Sequence, residues 1–355
     1  MKTRFLLPLL AGLLALPAAG IAVTVATPPA GYARIAAGGG RDNWLSLPLV
    51  RRAEFIGRVA SIGPATLTFS GPAWPADAYA PAATGAYYAQ FVTGNLAGMT
   101  YKVLGNTANQ LTLATAGDDL GVHGLGPIVT GTAGDLVRLR PYWTIADVFG
   151  HEIGDLRLAP VAALAPVLYT EGDALLLPDN QSPGTEKLPA ATIAFVTGQG
   201  WRRSDQSAVD AGATGLPPGV PFVWRRPGVA TSAFVVGYVA PEPGVIRLPA
   251  LPAGGETDVS VALFSPWLRT LAGSGLADAI ESSTDADHAR DLLLSPADLR
   301  RGFSIPPARR LHRVGTDWFE GVTAANEQTL RPTTGFLIRL RGERPVRYWR
   351  QPALP

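Results

Sequence analysis

The residues able to catalyse or to ligate are few and scattered. HEIGD at 151–155 invites comparison with HExxH, where two histidines one helical turn apart bind zinc and the glutamate is the base. Here Asp155 replaces the second histidine and Gly154 precedes it, so the string reads as a loop. His123 in GVHGLG also reads as a loop residue, and His288 and His312, set among arginines, are expected to titrate at the surface. Ser274 in GSG lacks the glycine frame of a nucleophile elbow. The acid pairs Asp118-Asp119 and Glu171 with Asp173 are of the kind glycosidases use, but turns collect such pairs too. DADHARD at 285–291 lacks the glycine and closing glutamate of a calcium loop, and the glycines near Gly131 precede a strand rather than a phosphate-binding helix. Without cysteine there is no disulfide, thiolate metal site or thiol nucleophile. The expectation is a protein with no catalytic constellation, cofactor or metal.

Aromatic rings beside guanidinium groups are the better candidates. Trp201 precedes Arg202 and Arg203, Trp224 precedes Arg225 and Arg226, and Tyr348 and Trp349 lie between Arg347 and Arg350. A flat indole can stack on a sugar ring while a neighbouring guanidinium grips an acidic or sulfated group through paired hydrogen bonds. In FLIRLR, Arg339 and Arg341 share one side of a strand and Phe336, Ile338 and Leu340 the other. Trp201, Arg202, Arg203, Trp224, Arg225, Arg226, Arg339 and Arg341 thus form a candidate ligand or assembly face. The competing reading plugs each core with an indole and leaves the arginines outside. The return of Trp201 as Trp318 without its arginines fits that reading.

The elements that would position these residues recur along the chain. The LLL at 175–177 returns at 292–294, LPA at 188–190 returns as IPP at 305–307, and Trp201 returns as Trp318, each 117 residues on. PGVPFVWR at 218–225 matches PTTGFLIR at 332–339, now 114 residues on. Earlier, WLSLPL at 44–49 resembles DVSVAL at 258–263, and TIAD at 144–147 resembles TLAG at 270–273. The second pair of pieces is seven residues apart and the first pair 95, so about ninety residues are inserted in the first copy.

Within the insert, alternating apolar residues flank turns at Gly63-Pro64, Gly94-Asn95 and 106–109, the grammar of a small barrel or sandwich. Helix is scarce: WTIADVFG supports a turn or two, and 285–302 a short helix interrupted by Pro296. The fold class expected is all-β, with duplicated β-rich units over 23–53 plus 142–250 and over 251–355, and a small β-domain over 54–141 set into the first.

Composition agrees. Of 355 residues, 47% are hydrophobic and 16% charged, enough apolar surface to order the chain, while 40 glycines and 32 prolines disfavour helices and suit many short strands. MKTRFLLPLLAGLLALPAAGIA has two cations, an apolar run and small residues near Ala22, the order of a secretory signal peptide over 1–22, with a retained anchor as the competing reading. No later run is long and apolar enough to span a bilayer as a helix, so no span is expected after cleavage. Residues 23–289 hold 16 basic and 22 acidic side chains and residues 290–355 hold 12 arginines and 6 acids, making the cleaved chain neutral but dipolar. Neutrality and export argue against a nucleic-acid partner.

DNWLSLPLVRRAEFIGRV, NTANQLTLATAGDDL, LLLPDNQSPGTEKLPAATIAFVTGQGWRR and LPPGVPFVWRR, in that order, resemble a paralogous family of exported, signal-peptide-bearing verrucomicrobial proteins. The likeness runs from about Tyr32 to the C-terminus and departs where Phe319-Glu320 replaces Arg-Arg after Trp318. It implies export, to the periplasm, cell surface or medium, and brings no activity, fold or site. The function expected is that of a non-enzymatic structural or surface-assembly protein, in which an acidic body of one molecule meets the basic segment of the next. The alternative is a module binding cell-surface or extracellular polysaccharide through Trp201 and Trp224.

Overall fold

The computed structural model describes residues 29–81, 86–123, 126, 134–150, 158–162, 172–205, 209–284, 291–295 and 307–353. The signal peptide, HEIGD, Glu171, His288, the start of DADHARD and the helix expected around Pro296 lie outside them. What is described is nearly all β-structure.

The chain opens with β1 (Ala30–Ala37) and β2 (Arg41–Leu45), then enters the barrel strands β3 (Phe55–Gly63), β4 (Thr66–Phe69), β5 (Tyr87–Phe91), β6 (Thr100–Asn106), β7 (Gln110–Ala114) and β8 (Leu136–Pro141). These six close in the order β3-β4-β7-β6-β5-β8. The expected barrel-or-sandwich element is therefore a closed barrel, and closure leaves no sheet edge. Strands β5 to β8, in spatial order β8-β5-β6-β7, form a Greek key. Alternation builds the interior: Tyr101, Val103, Leu111 and Leu113 point in while Lys102, Leu104 and Thr112 point out.

The first body continues with β9 (Trp143–Thr144), a helix Ile145–Phe149, β10 (Ala174–Leu177), β11 (Ala191–Val196), β12 (Gly200–Arg203), β13 (Gly215–Leu216), β14 (Phe222–Arg226) and β15 (Thr231–Tyr238). Its main sheet has the order β12-β11-β10-β14-β2, with β13-β9 and β1-β15 as separate ribbons. Thr144 caps the helix: its hydroxyl accepts from Asp147 N (3.1 Å), and Asp147 accepts from Thr144 N (3.0 Å).

The second body holds β16 (Val245–Leu248), β17 (Glu256–Val261), β18 (Arg269–Thr270), β19 (Leu292–Ser295), β20 (Arg309–Val314), β21 (Asp317–Glu320), β22 (Thr323–Ala324), β23 (Thr329–Leu330), β24 (Phe336–Arg341) and β25 (Arg347–Arg350). Its main sheet runs β17-β24-β19-β20-β21-β22, with ribbons β18-β23 and β16-β25. Read from β21, the sequence of partners β21-β20-β19-β24-β17 has the form of β12-β11-β10-β14-β2.

Several details differ from the sequence reading. Strand β16, assigned with residues up to 250 to the first body, pairs with β25 in the second. Strands β14 and β15, successive in the chain, part company, β14 joining the main sheet and β15 pairing with β1. Leu175 stands opposite Ile193 as Leu293 stands opposite Leu311, a shift of 118 rather than 117, and the turn from Val314 to Asp317 is one residue shorter than the turn from Val196 to Gly200. Leu45 stands opposite Phe222 as Val261 stands opposite Phe336, so Asp42, not Trp44, has the place of Asp258. That error of two residues keeps every side chain on its face, because the pleat has period two.

The bodies meet through the loops before β14 and β24. Ser46 N donates to Thr333 O (3.1 Å) and Ala262 N donates to Gly219 O (2.9 Å). Between them Gly335 lies against Pro221, where a Cβ on the glycine would come within 2.2 Å of the proline Cβ. Only glycine permits that approach.

Candidate functional site

The candidate residues are spread over both main sheets, and the two leading indoles face inward. Trp201 on β12 is 1% exposed, edge-on to Phe195 at 5.2 Å, and its Nε1 donates to Gly150 O at the end of the capped helix (2.9 Å). Trp224 on β14 is fully buried against Phe149 at 4.8 Å and donates to Asp173 Oδ1 (2.8 Å). A stacking platform built on these indoles is therefore corrected: each completes the apolar core of its sheet. Trp349 is buried as well, donating to Ser274 O (2.9 Å).

The candidate arginines other than Arg202 are occupied by the chain's own carboxylates. Arg225 makes a two-pronged contact with Asp42 (2.8 and 2.7 Å), and Arg339 makes the same contact with Asp258 (2.8 and 2.9 Å). Arg203 grips Asp205, Arg341 reaches Glu256 (2.6 Å), and buried Arg226 pairs with Asp173 (2.8 Å). Arg202 is half-buried and its Nε has no acceptor among the described residues. Guanidinium groups held this way cannot turn to a sulfated ligand without breaking paired, charge-assisted bonds.

The charge split also collapses in space. Arg339, Arg341 and Arg347 of the basic segment pair with Asp258, Glu256 and Glu281 of the acidic one, and Arg344 pairs with Asp291 of its own segment, all within the second body. The acid and base that the sequence separates are brought together by β17 and β24. A salt-loosened contact between an acidic and a basic body loses its source.

Other expectations resolve one by one. His312, expected at the surface, is 4% exposed and stacked on Phe319, because β20 turns it toward β21. Asp119 accepts from Gly121 N (2.8 Å), a turn contact, and Ser274 donates to Leu271 O (2.7 Å). Among the described residues no group of three or more His, Cys, Asp or Glu converges as metal ligands.

Two features had no clear sequence signal. The first is a cleft of about 510 Å³ where the barrel (Met99, Tyr101), first body (Gln181, Pro218) and second body (Arg247, Phe264) meet. Behind Tyr101, whose hydroxyl donates to Asp118 Oδ2 (2.8 Å), His123 Nε2 lies 2.5 Å from Asp118 Oδ1 and its ring is edge-on to Tyr348. Burial opposes ionisation of Asp118, but the hydrogen bonds from His123 and Tyr101 outweigh it and hold the carboxyl below its ordinary range. This cluster fixes the imidazole and ties barrel to second body.

The second feature is the outward side of the β1-β15 ribbon. Tyr32 lies opposite Val236 and Arg34 opposite Phe234; Tyr32 is 77%, Val236 72% and Phe234 61% exposed, and Arg34 Nε donates to Ser232 Oγ (2.8 Å). YARIAA and SAFVVGY alternate, but alternation alone does not say which face is covered.

No family model, curated protein or solved structure matches the chain. What the chain does must be argued from its own geometry.

Proposed function

We propose that the chain is an exported, non-enzymatic structural or surface-assembly protein, built from two copies of one β-unit with the barrel set into the first. The observation that carries this reading is the reciprocal contact between the bodies. The loop before β14 bonds the residue just beyond β17 and the loop before β24 bonds the residue just beyond β2, with Pro221 against Gly335 between them. Self-complementary contacts of this kind are how identical subunits close into dimers, and here one chain contains the pair.

The shared order of partners in the two main sheets and the matching Arg225–Asp42 and Arg339–Asp258 pairs support the duplication. Export rests on the order of cations, apolar run and small residues over 1–22; no helix among the described residues is long and apolar enough to cross a membrane. The polysaccharide reading loses its support with the burial of Trp201 and Trp224.

Fractionating producing cells and imaging the released material by electron microscopy tests the reading. Chain found outside the cytoplasm in ordered or multimeric particles is expected. A cytoplasmic monomer would remove it.

A further inference from the structure

The two bodies carry corresponding ribbons, β1-β15 and β16-β25, and their outward sides have opposite fates. On β16-β25 the barrel covers it: Val245 joins the barrel core and Tyr348 packs on that core. Val245 N donates to Gly98 O (3.2 Å) and Arg350 Nη2 donates to Asn95 O (3.0 Å). Arg247 on the same side reaches Tyr348 and acts on Asp118 of the barrel. On β1-β15 the same side carries Tyr32, Phe234 and Val236 into solvent. Large apolar side chains grouped on one face mark a contact surface, whereas scattered ones do not.

We infer that the outward side of β1-β15 is a docking face for a second copy of this chain, the two ribbons meeting face to face about a twofold axis. The corresponding ribbon, in the same fold, already buries its outward side against protein. The face can also meet its own copy through its rings. Its single ion, Arg34, stands beside two aromatic rings, so in an antiparallel stack each guanidinium lies over the other copy's Tyr32 or Phe234, a favourable cation–π arrangement. No carboxylate lies among the outward residues, so the contact depends on apolar area rather than on ion pairs. Eight paired residues at ~3.4 Å per residue make the ribbon about 27 Å long. Two strands of that length fall short of the ~800 Å² per partner of a standard interface, so the association is weak and concentration-dependent. This inference rests on the assembly reading and gives it a surface.

The test uses the mature full-length chain in sedimentation-velocity runs from about 1 µM to 1 mM, at salt concentrations from roughly 50 to 500 mM. The expected result is reversible dimerisation that does not weaken with salt and is weakened at least about tenfold, some 1.4 kcal/mol, by Tyr32→Ser with Phe234→Ser. Leu268→Ser, at another exposed apolar position in the second body, is expected to leave it unchanged. Because the native chain has no cysteine, Tyr32→Cys alone supplies a second measurement: mild oxidation of the folded variant is expected to give a covalent dimer, and Leu268→Cys is not.

Association of the native chain that the ribbon variants leave intact, or that Leu268→Ser disrupts, overturns the inference while leaving the assembly reading in place. A chain still monomeric at about 1 mM overturns both. Retention on insoluble cell-wall polysaccharide that depends on Tyr32 and Phe234, in a chain that stays monomeric, overturns the second copy as occupant.

Discussion

Arg226 Nη1 lies 2.8 Å from Asp173 Oδ2, with both side chains at 1% exposure or less, and Arg344 with Asp291 repeats this buried pair in the second body at 2.6 Å. In each body the carboxylate also accepts a backbone N–H, from Ala159 in the first and Glu281 in the second. Burial pushes the Asp173 carboxyl up, against the Ala159 N–H, Arg226 and Trp224, which pull it down. Its folded-state value therefore exceeds the unfolded one, so the ionised form costs stability at neutral pH and the cost recedes as pH falls through the raised value. The pair fixes the start of β10 against the end of β14.

Removing one partner should therefore hurt more than removing both. Asp173→Ala strands a buried guanidinium and is expected to cost ~3–5 kcal/mol, whereas Asp173→Leu with Arg226→Met should lie near the native value or above it. Urea unfolding of the three proteins reads both numbers.

Gly335→Ala puts a methyl group into Pro221 at the contact between the bodies. The expected loss is ~1–3 kcal/mol, the range of overpacking in a tight site, with faster proteolysis in the segments joining the bodies. Pro221→Gly in the same chain should restore room and recover part of the loss. Unfolding midpoints and digestion rates, measured on the same preparations, check it.

Trp201 and Trp318 occupy corresponding places but differ in one bond. The Trp201 N–H has Gly150 O, while the Trp318 N–H finds no acceptor among the described residues. Trp201→Phe gives up that hydrogen bond, and Trp318→Phe removes a buried orphan donor. Trp318→Phe is expected to be the milder change by about 1–2 kcal/mol in equilibrium unfolding.

Asp118 gives an acid-side prediction. Its carboxyl is held below the ordinary range, so its contribution to stability is fully present above the unfolded-state value of about 3.9 and is lost as pH falls through the depressed folded-state value. The native chain should lose melting temperature over that window relative to Asp118→Asn, and the two profiles should run parallel above about pH 5. Melting curves from pH 2 to 7 decide it, and parallel profiles throughout would disprove the coupling.

Much of the fold was readable because its signals are local. Alternation in YKVLGN and QLTLA, with a polar turn between them, specified the β6-β7 hairpin, and the helical turn expected in WTIADVFG is the helix Ile145–Phe149. Ribbon membership was not readable, since FVWRRPGVATSAFVVGYV looks like a hairpin unless β1 and β10 are known to compete for its strands. The candidate face failed for a related reason. A Trp-Arg-Arg string reads alike whether the indole faces water or core; Phe149, which packs on both indoles, and Asp173, 51 residues before Trp224, decide that, and no local pattern reports them. His312 was misplaced because its cover is Phe319, its partner across β20 and β21, and no neighbour in sequence reports that contact.

The barrel enters and leaves the first body through neighbouring strands, Phe55 of β3 lying opposite Leu139 of β8, with Glu54 N donating to Leu139 O (2.9 Å). It is thus a cassette whose two chain ends lie side by side, and in the second body a seven-residue link from Leu263 to Thr270 leads from β17 to β18. Excising it would also strip the cover from the outward side of β16-β25, leaving Val245 and Tyr348 bare as Tyr32, Phe234 and Val236 already are on β1-β15. Under the docking we propose for β1-β15, the presence of that cassette sets whether the molecule offers one such face or two.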